Sequence, residues 1–131
     1  MILAAAALAL VTATVTCERA AGAGRVRCEA EVHAQPAGEI RWADLVVVRT
    51  APFLSPLKGR VPPADATERS SATWTFAFAL VAKERGTGPL VVRLRAVVCA
   101  PRGDGGVDAG GATCVPAEIE ASTDVTAGRS P

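Results

Sequence analysis

Leu90-Val91-Val92-Arg93-Leu94-Arg95-Ala96-Val97-Val98-Cys99 and, beyond a glycine-rich loop, Cys114-Val115-Pro116-Ala117-Glu118-Ile119-Glu120-Ala121-Ser122-Thr123-Asp124-Val125 decide the fold. Side chains of a strand alternate between its two faces. In the first run Leu90, Val92, Leu94, Ala96 and Val98 therefore share one face, and Arg93, Arg95 and Cys99 share the other. In the second run Val115, Ala117, Ile119, Ala121 and Val125 oppose Cys114, Glu118 and Glu120. An antiparallel hairpin with Cys99 opposite Cys114 sets Arg95 against Glu118 and Arg93 against Glu120 on one face, with Leu94 against Ile119 and Val98 against Val115 on the other. Opposite charges and aliphatics paired in this way stabilise an antiparallel ladder. A slip of one residue would turn the charges into the core, so the register is well specified. It also predicts that both cysteines lie on the polar, solvent-facing side.

A second hairpin comes earlier in the chain. Val11 to Glu18 and Arg25 to Ala34 flank the turn Ala21-Gly22-Ala23-Gly24. Pairing Cys17 with Cys28 sets Val15 against Ala30, Ala13 against Val32 and, on the outer face, Glu18 against Arg27. Here the cysteines fall on the apolar side. They read as a buried structural disulfide; two reduced cysteines acting as small core residues are the alternative.

The rest of the chain supports an all-β domain. At 131 residues it forms one domain of ordinary size. Half the residues are hydrophobic but only 4% are aromatic, so Val, Ala and Leu must fill the core. Nine prolines and twelve glycines punctuate valine-rich runs. Glu39 to Thr50 is a strand centred on Leu45-Val46-Val47-Val48, a run suited to burial on both sides, with Trp42 packed at its start. Pro52, Pro56, Pro62 and Pro63 make Ala51 to Ala66 an irregular or edge segment, since proline cannot donate to a ladder. Thr73 to Lys83 places Trp74, Phe76, Phe78 and Leu80 on the core face. Six to seven short strands with this spacing indicate a two-sheet antiparallel β-sandwich; an open barrel is the alternative. The domain spans residues 11–125, followed by a frayed tail, 126–131. Residues 1–10 read either as a signal-like apolar segment, with Ala7-Leu8-Ala9 as its cleavage site, or as a first strand.

Several function classes lose support. A net charge of +1 with both signs interspersed gives no basic stripe for nucleic acid. Dinucleotide, phosphate-loop and hydrolase motifs do not occur, so no cofactor is expected. The cysteines form no CxxC pair, and His33, the single histidine, reads as a solvated surface residue, so zinc is not expected. Asp104 and Asp108 lie in the glycine-rich loop without calcium-loop spacing. Four cysteines allow three connectivities, and an even count in a small β domain points to disulfides and an extracytoplasmic location, periplasmic or secreted.

Cys99 and Cys114 carry the chemical question. An exposed bridge is open to an attacking thiolate, and Arg93, Arg95 and Arg102 favour a thiolate while Glu118 and Asp104 oppose it. As a staple, the same bridge closes a loop of 14 residues and stabilises by about 3 kcal/mol on a chain-entropy estimate. From Thr73 to Val125, a strand ending in Val98-Cys99 followed by Cys114-Val115-Pro116 resembles the N-terminal periplasmic domain of the disulfide reductase DsbD family. That resemblance implies an immunoglobulin-like sandwich in which Cys99 and Cys114 form a redox pair. It also implies exchange with a thioredoxin-like or membrane redox partner protein. A non-catalytic secreted module, structural or protein-binding, held by two disulfides is the other reading.

Overall fold

The computed structural model describes residues 10–100 and 113–128. Among these residues, nine strands form two antiparallel sheets that enclose one core: β1 (Val11–Cys17), β2 (Gly24–Ala34), β3 (Glu39–Thr50), β4 (Leu54–Pro56), β5 (Arg60–Val61), β6 (Glu68–Arg69), β7 (Thr73–Ala82), β8 (Gly86–Ala100) and β9 (Thr113–Ala127). One sheet runs β1-β2-β7-β4, with β6 also paired to β7; the other runs β5-β3-β8-β9. Taken in chain order, these neighbours reproduce the A-B-E-D and C-F-G arrangement of an immunoglobulin-type sandwich. The count exceeds the expected six to seven because the proline-rich connection and the polar stretch after it contribute three short edge strands, β4, β5 and β6. Between them lies a single 3-10 turn, Pro63–Asp65.

Both expected hairpin registers occur. Cys17 pairs with Cys28 and Val15 with Ala30; Cys99 pairs with Cys114, Arg95 with Glu118 and Leu94 with Ile119. Trp74, Phe76, Phe78 and Leu80 are all buried, and they meet Leu45, Leu90, Val92 and Leu94 of the facing sheet. Cys28 belongs to this core and Cys17 packs against it, as a bridge on the apolar face requires.

Three expectations need correction. The Leu45–Val48 run is not buried on both sides. Bulges between Ile40 and Trp42 and between Val47 and Arg49 break the alternation of β3, leaving Leu45 buried, Val46 and Val47 half-buried and Val48 exposed. A bulge inserts one unpaired residue and re-aims its neighbours, which is how Trp42 comes to face outward opposite Val97, half-buried, instead of entering the core. The tail does not fray at Thr126: β9 continues to Ala127, which is buried. Ala20 bridges Ala127 in parallel, and the Gly128 amide donates to the Ala20 carbonyl at 2.8 Å. That contact ties the β1 edge of one sheet to the β9 edge of the other. The segment 1–9 and residues 129–131 lie outside the described residues.

The first strand of the central hairpin starts in tight quarters. A Cβ on Gly88 would stand 2.5 Å from the Cβ of buried Ala51, whose own amide is held by the Pro89 carbonyl at 2.9 Å. Gly88→Ala should therefore lower stability by about 1–3 kcal/mol. Gly22→Ala, with nothing within 4 Å of the added methyl, should change it by less than about 0.5 kcal/mol. Urea denaturation of the two variants checks the pair.

Candidate functional site

The outer face of the β5-β3-β8-β9 sheet gathers the residues with chemical potential. Its rows follow from the ladder: Glu39, Cys99 and Cys114; then Trp42, Val97 and Pro116; then Asp44, Arg95 and Glu118; then Val46, Arg93 and Glu120. Cys99 and Cys114 are joined, with Cα atoms 3.9 Å apart, on the close side of the ~4.5 Å of a non-hydrogen-bonded antiparallel pair. Cys17 and Cys28 are joined in the same way, with Cα atoms 4.0 Å apart.

The expectation that both Cys99 and Cys114 face solvent is half right. Cys114 is exposed, but Cys99 retains only 2% of its accessible surface. The cause is strand position. β9 is an edge strand, whereas β8 has β3 on one flank and β9 on the other, so neighbours crowd Cys99 from both sides. The electrostatic surroundings also differ from the sequence expectation. Arg95 is four residues from Cys99 along the strand, roughly 13 Å at about 3.3 Å per residue. The group beside Cys99 in the ladder is Glu39, whose carboxylate accepts a hydrogen bond from Arg41 Nε at 3.2 Å. Arg102, Asp104 and Asp108 lie outside the described residues.

The arginines are occupied elsewhere. Arg93 Nη2 donates to Glu120 at 2.8 Å, as the register predicts. Arg95 instead reaches across to β3 and grips Asp44 with two parallel hydrogen bonds, Nε to Oδ1 at 2.8 Å and Nη2 to Oδ2 at 2.5 Å. Arg60 of β5 adds Nε to Oδ2 at 2.7 Å. Glu118, the expected partner of Arg95, acts only as a nearby charge. Asp44 is fully buried. Burial alone pushes its carboxyl up, but the hydrogen bonds and charges of Arg95 and Arg60 outweigh that, and the group sits below the usual carboxylate range. Hydrogen bonding to Asp44 in turn raises Arg95. Sequence reasoning missed Asp44 because it passed as a polar interruption in an apolar strand. A lone acid beside a valine run, with surplus arginine on a neighbouring strand, is the signal that marks such a pin.

His33 is not simply solvated: it is half-buried, with Nδ1 2.9 Å from Thr73 Oγ1 and Nε2 3.1 Å from Glu31. Among the described residues no three His, Cys, Asp or Glu side chains come together in a way that could hold a metal ion. At the end of the sandwich, Leu10, Val98 and Val115 line a shallow apolar groove beside the bridge.

No family model matches the chain, and neither does any curated protein sequence. Over 92% of its length the fold is similar to a solved structure described as BslA, a bacterial hydrophobin, covering 96% of that chain at 13% identity and a TM-score of 0.37. A likeness that distant has no bearing on function.

Asp44 makes the acid stability of the fold testable. A carboxyl depressed on folding contributes fully above its unfolded value of about 3.9 and loses that contribution as pH falls through the lower folded value. Asp44→Asn should cost about 2 kcal/mol at neutral pH, in the range for hydrogen bonds to charged groups. The variant should also show a shallower loss of stability in acid than the parent. Urea midpoints measured from neutral to acidic pH test both expectations.

Proposed function

We propose that this protein is a non-catalytic, extracytoplasmic β-sandwich module in which both disulfides are staples. The observation that carries this reading is the burial of Cys99 on the central strand. Thiol–disulfide exchange needs a thiolate to reach one sulfur while the other leaves as a thiolate. Attack at Cys99 is blocked by its neighbours. Attack at exposed Cys114 would expel Cys99 as an anion into a buried position, and desolvation disfavours that anion. Arg93 and Arg95 give it no relief, because Glu120 and Asp44 hold them. Each bridge joins strands consecutive in the chain, which suits a clip on a hairpin, and two disulfides in one small domain favour an oxidising compartment.

The exposure of Cys114 on an edge strand supports a second reading, in which a thioredoxin-like or membrane redox partner protein attacks that sulfur. The resemblance to the DsbD N-terminal domain points the same way. Glutathione redox titration of the folded chain separates the two. As a staple, the Cys99–Cys114 bridge should have a potential below about −300 mV and resist a thioredoxin-like reductant until the fold opens. A higher potential, with rapid reduction of a chain that stays folded and loss of that exchange in Cys114→Ser, would make the pair a redox site.

A further inference from the structure

The far edge of the other sheet is incomplete. Successive residues of β7 turn their backbone groups alternately to either side. Those turned away from β2 find partners at the Thr73 carbonyl (Ser70 amide, 2.9 Å), the Thr75 carbonyl (Thr67 amide, 2.8 Å) and the Ala79 carbonyl (Leu57 amide, 3.0 Å). Ala77 falls between them with the same orientation. There, β4 has ended and β6 has not begun, because the chain leaves for β5 and the 3-10 turn. The Ala77 N–H and C=O therefore face a notch, and neither has a partner among the described residues. Ala77 is exposed, so both groups are open to solvent.

The notch opens into a cavity of about 340 Å³, within the roughly 300–1,000 Å³ range of small-ligand sites. Its walls are mostly apolar, with Leu57 half-exposed at the rim and Val61, Ala79 and Phe78 deeper in. Three cations reach it against one acid. Lys58 stands 3.8 Å from Asp65, and Arg27 stands 3.8 Å from Glu18 outside the cavity. Arg25 has no ion-pair partner among the described residues.

We infer that this notch binds the C-terminal residue of a peptide whose preceding residues leave the plane of the sheet, since Leu57 already pairs with Ala79. One strand residue exchanges both of its hydrogen bonds with the residue opposite it in an antiparallel pair. A terminal residue placed opposite Ala77 donates its own N–H to the Ala77 carbonyl, and its carboxylate accepts from the Ala77 N–H. The excess of positive charge from Arg25, Arg27 and Lys58 surrounds that carboxylate. An apolar terminal side chain rests against Leu57 and Ala79. The mode combines a single strand-type residue pair with carboxylate capture. It lies on the opposite sheet from Cys99 and Cys114 and is independent of whether that bridge exchanges.

The test uses the oxidised full chain, isotope-labelled, titrated with an N-acetylated Gly-Val-Leu peptide bearing a free carboxylate and followed through the Ala77 amide resonance. The comparison ligands are the same peptide amidated, the same peptide N-methylated at its last residue, and octanoate, which has the carboxylate and apolar body but no N–H. Saturable perturbation of Ala77 is expected. Affinity should fall about tenfold or more on amidation, the scale of a lost charge-assisted hydrogen bond, and severalfold on N-methylation or with octanoate. Arg25→Glu, on the exposed end of β2, should weaken binding by a similar factor with an unchanged circular dichroism spectrum. No perturbation at the solubility limit of the peptide overturns the inference. So does binding that ignores amidation and methylation, and so does octanoate binding as tightly as the peptide.

Discussion

The pairing of β8 on both of its flanks is the constraint from which most of the molecule follows. Along β3 it sets Leu45 against Leu94 and Asp44 against Arg95; along β9 it sets Leu94 against Ile119 and Cys99 against Cys114. Both ladders share one central strand, so a slip of β8 would break both at once. A slip of one residue in β8 would bury Arg93 and Arg95 and expose Leu90, Val92 and Leu94 together. The disulfide holds the β8–β9 register covalently, and the Asp44 pin holds the β3–β8 register by charge.

Asp44 shows why charge near a cysteine in sequence is a poor guide to its reactivity. Two guanidinium groups converge on one buried carboxylate, because removing that carboxylate from water is costly unless paired and hydrogen-bonded. Once Arg95 is committed to Asp44 and Arg93 to Glu120, the face around the Cys99–Cys114 bridge has no free cation among those arginines. On its other flank Cys99 faces Glu39, itself held by Arg41. The sequence left the sign of the charge around the bridge open; with Arg95 on Asp44, Arg93 on Glu120 and Arg41 on Glu39, none of these three guanidinium groups is left to stabilise a thiolate at Cys99.

The two sheets treat their edges differently. Unpaired edges invite association with other chains, and proteins blunt them with proline, charge or covering segments. β9 carries Pro116, Glu118 and Glu120 and is closed at its end by the Ala20–Ala127 bridge. On the other side β7 is covered by two short strands with an interval between them. That interval exposes one residue's backbone groups next to an apolar wall and a surplus of positive charge. It is a feature of chain routing and has no counterpart in any local motif.

The two cysteine hairpins, the aromatic core face of Thr73–Lys83 and the sandwich class were legible in the sequence, because period-two alternation and opposite-charge pairing are local patterns that survive into the folded state. The bulges of β3 were not, since an inserted residue leaves the composition of the run unchanged and is decided by what the facing strand accepts. Which arginine reaches Asp44, how deeply Cys99 is buried and where β4 stops short of β6 depend on residues far apart in the chain, such as Asp44 with Arg95 and Leu57 with Ala79. Only the tertiary structure brings those groups together, because burial and partner choice belong to the neighbours a strand acquires and not to the strand itself.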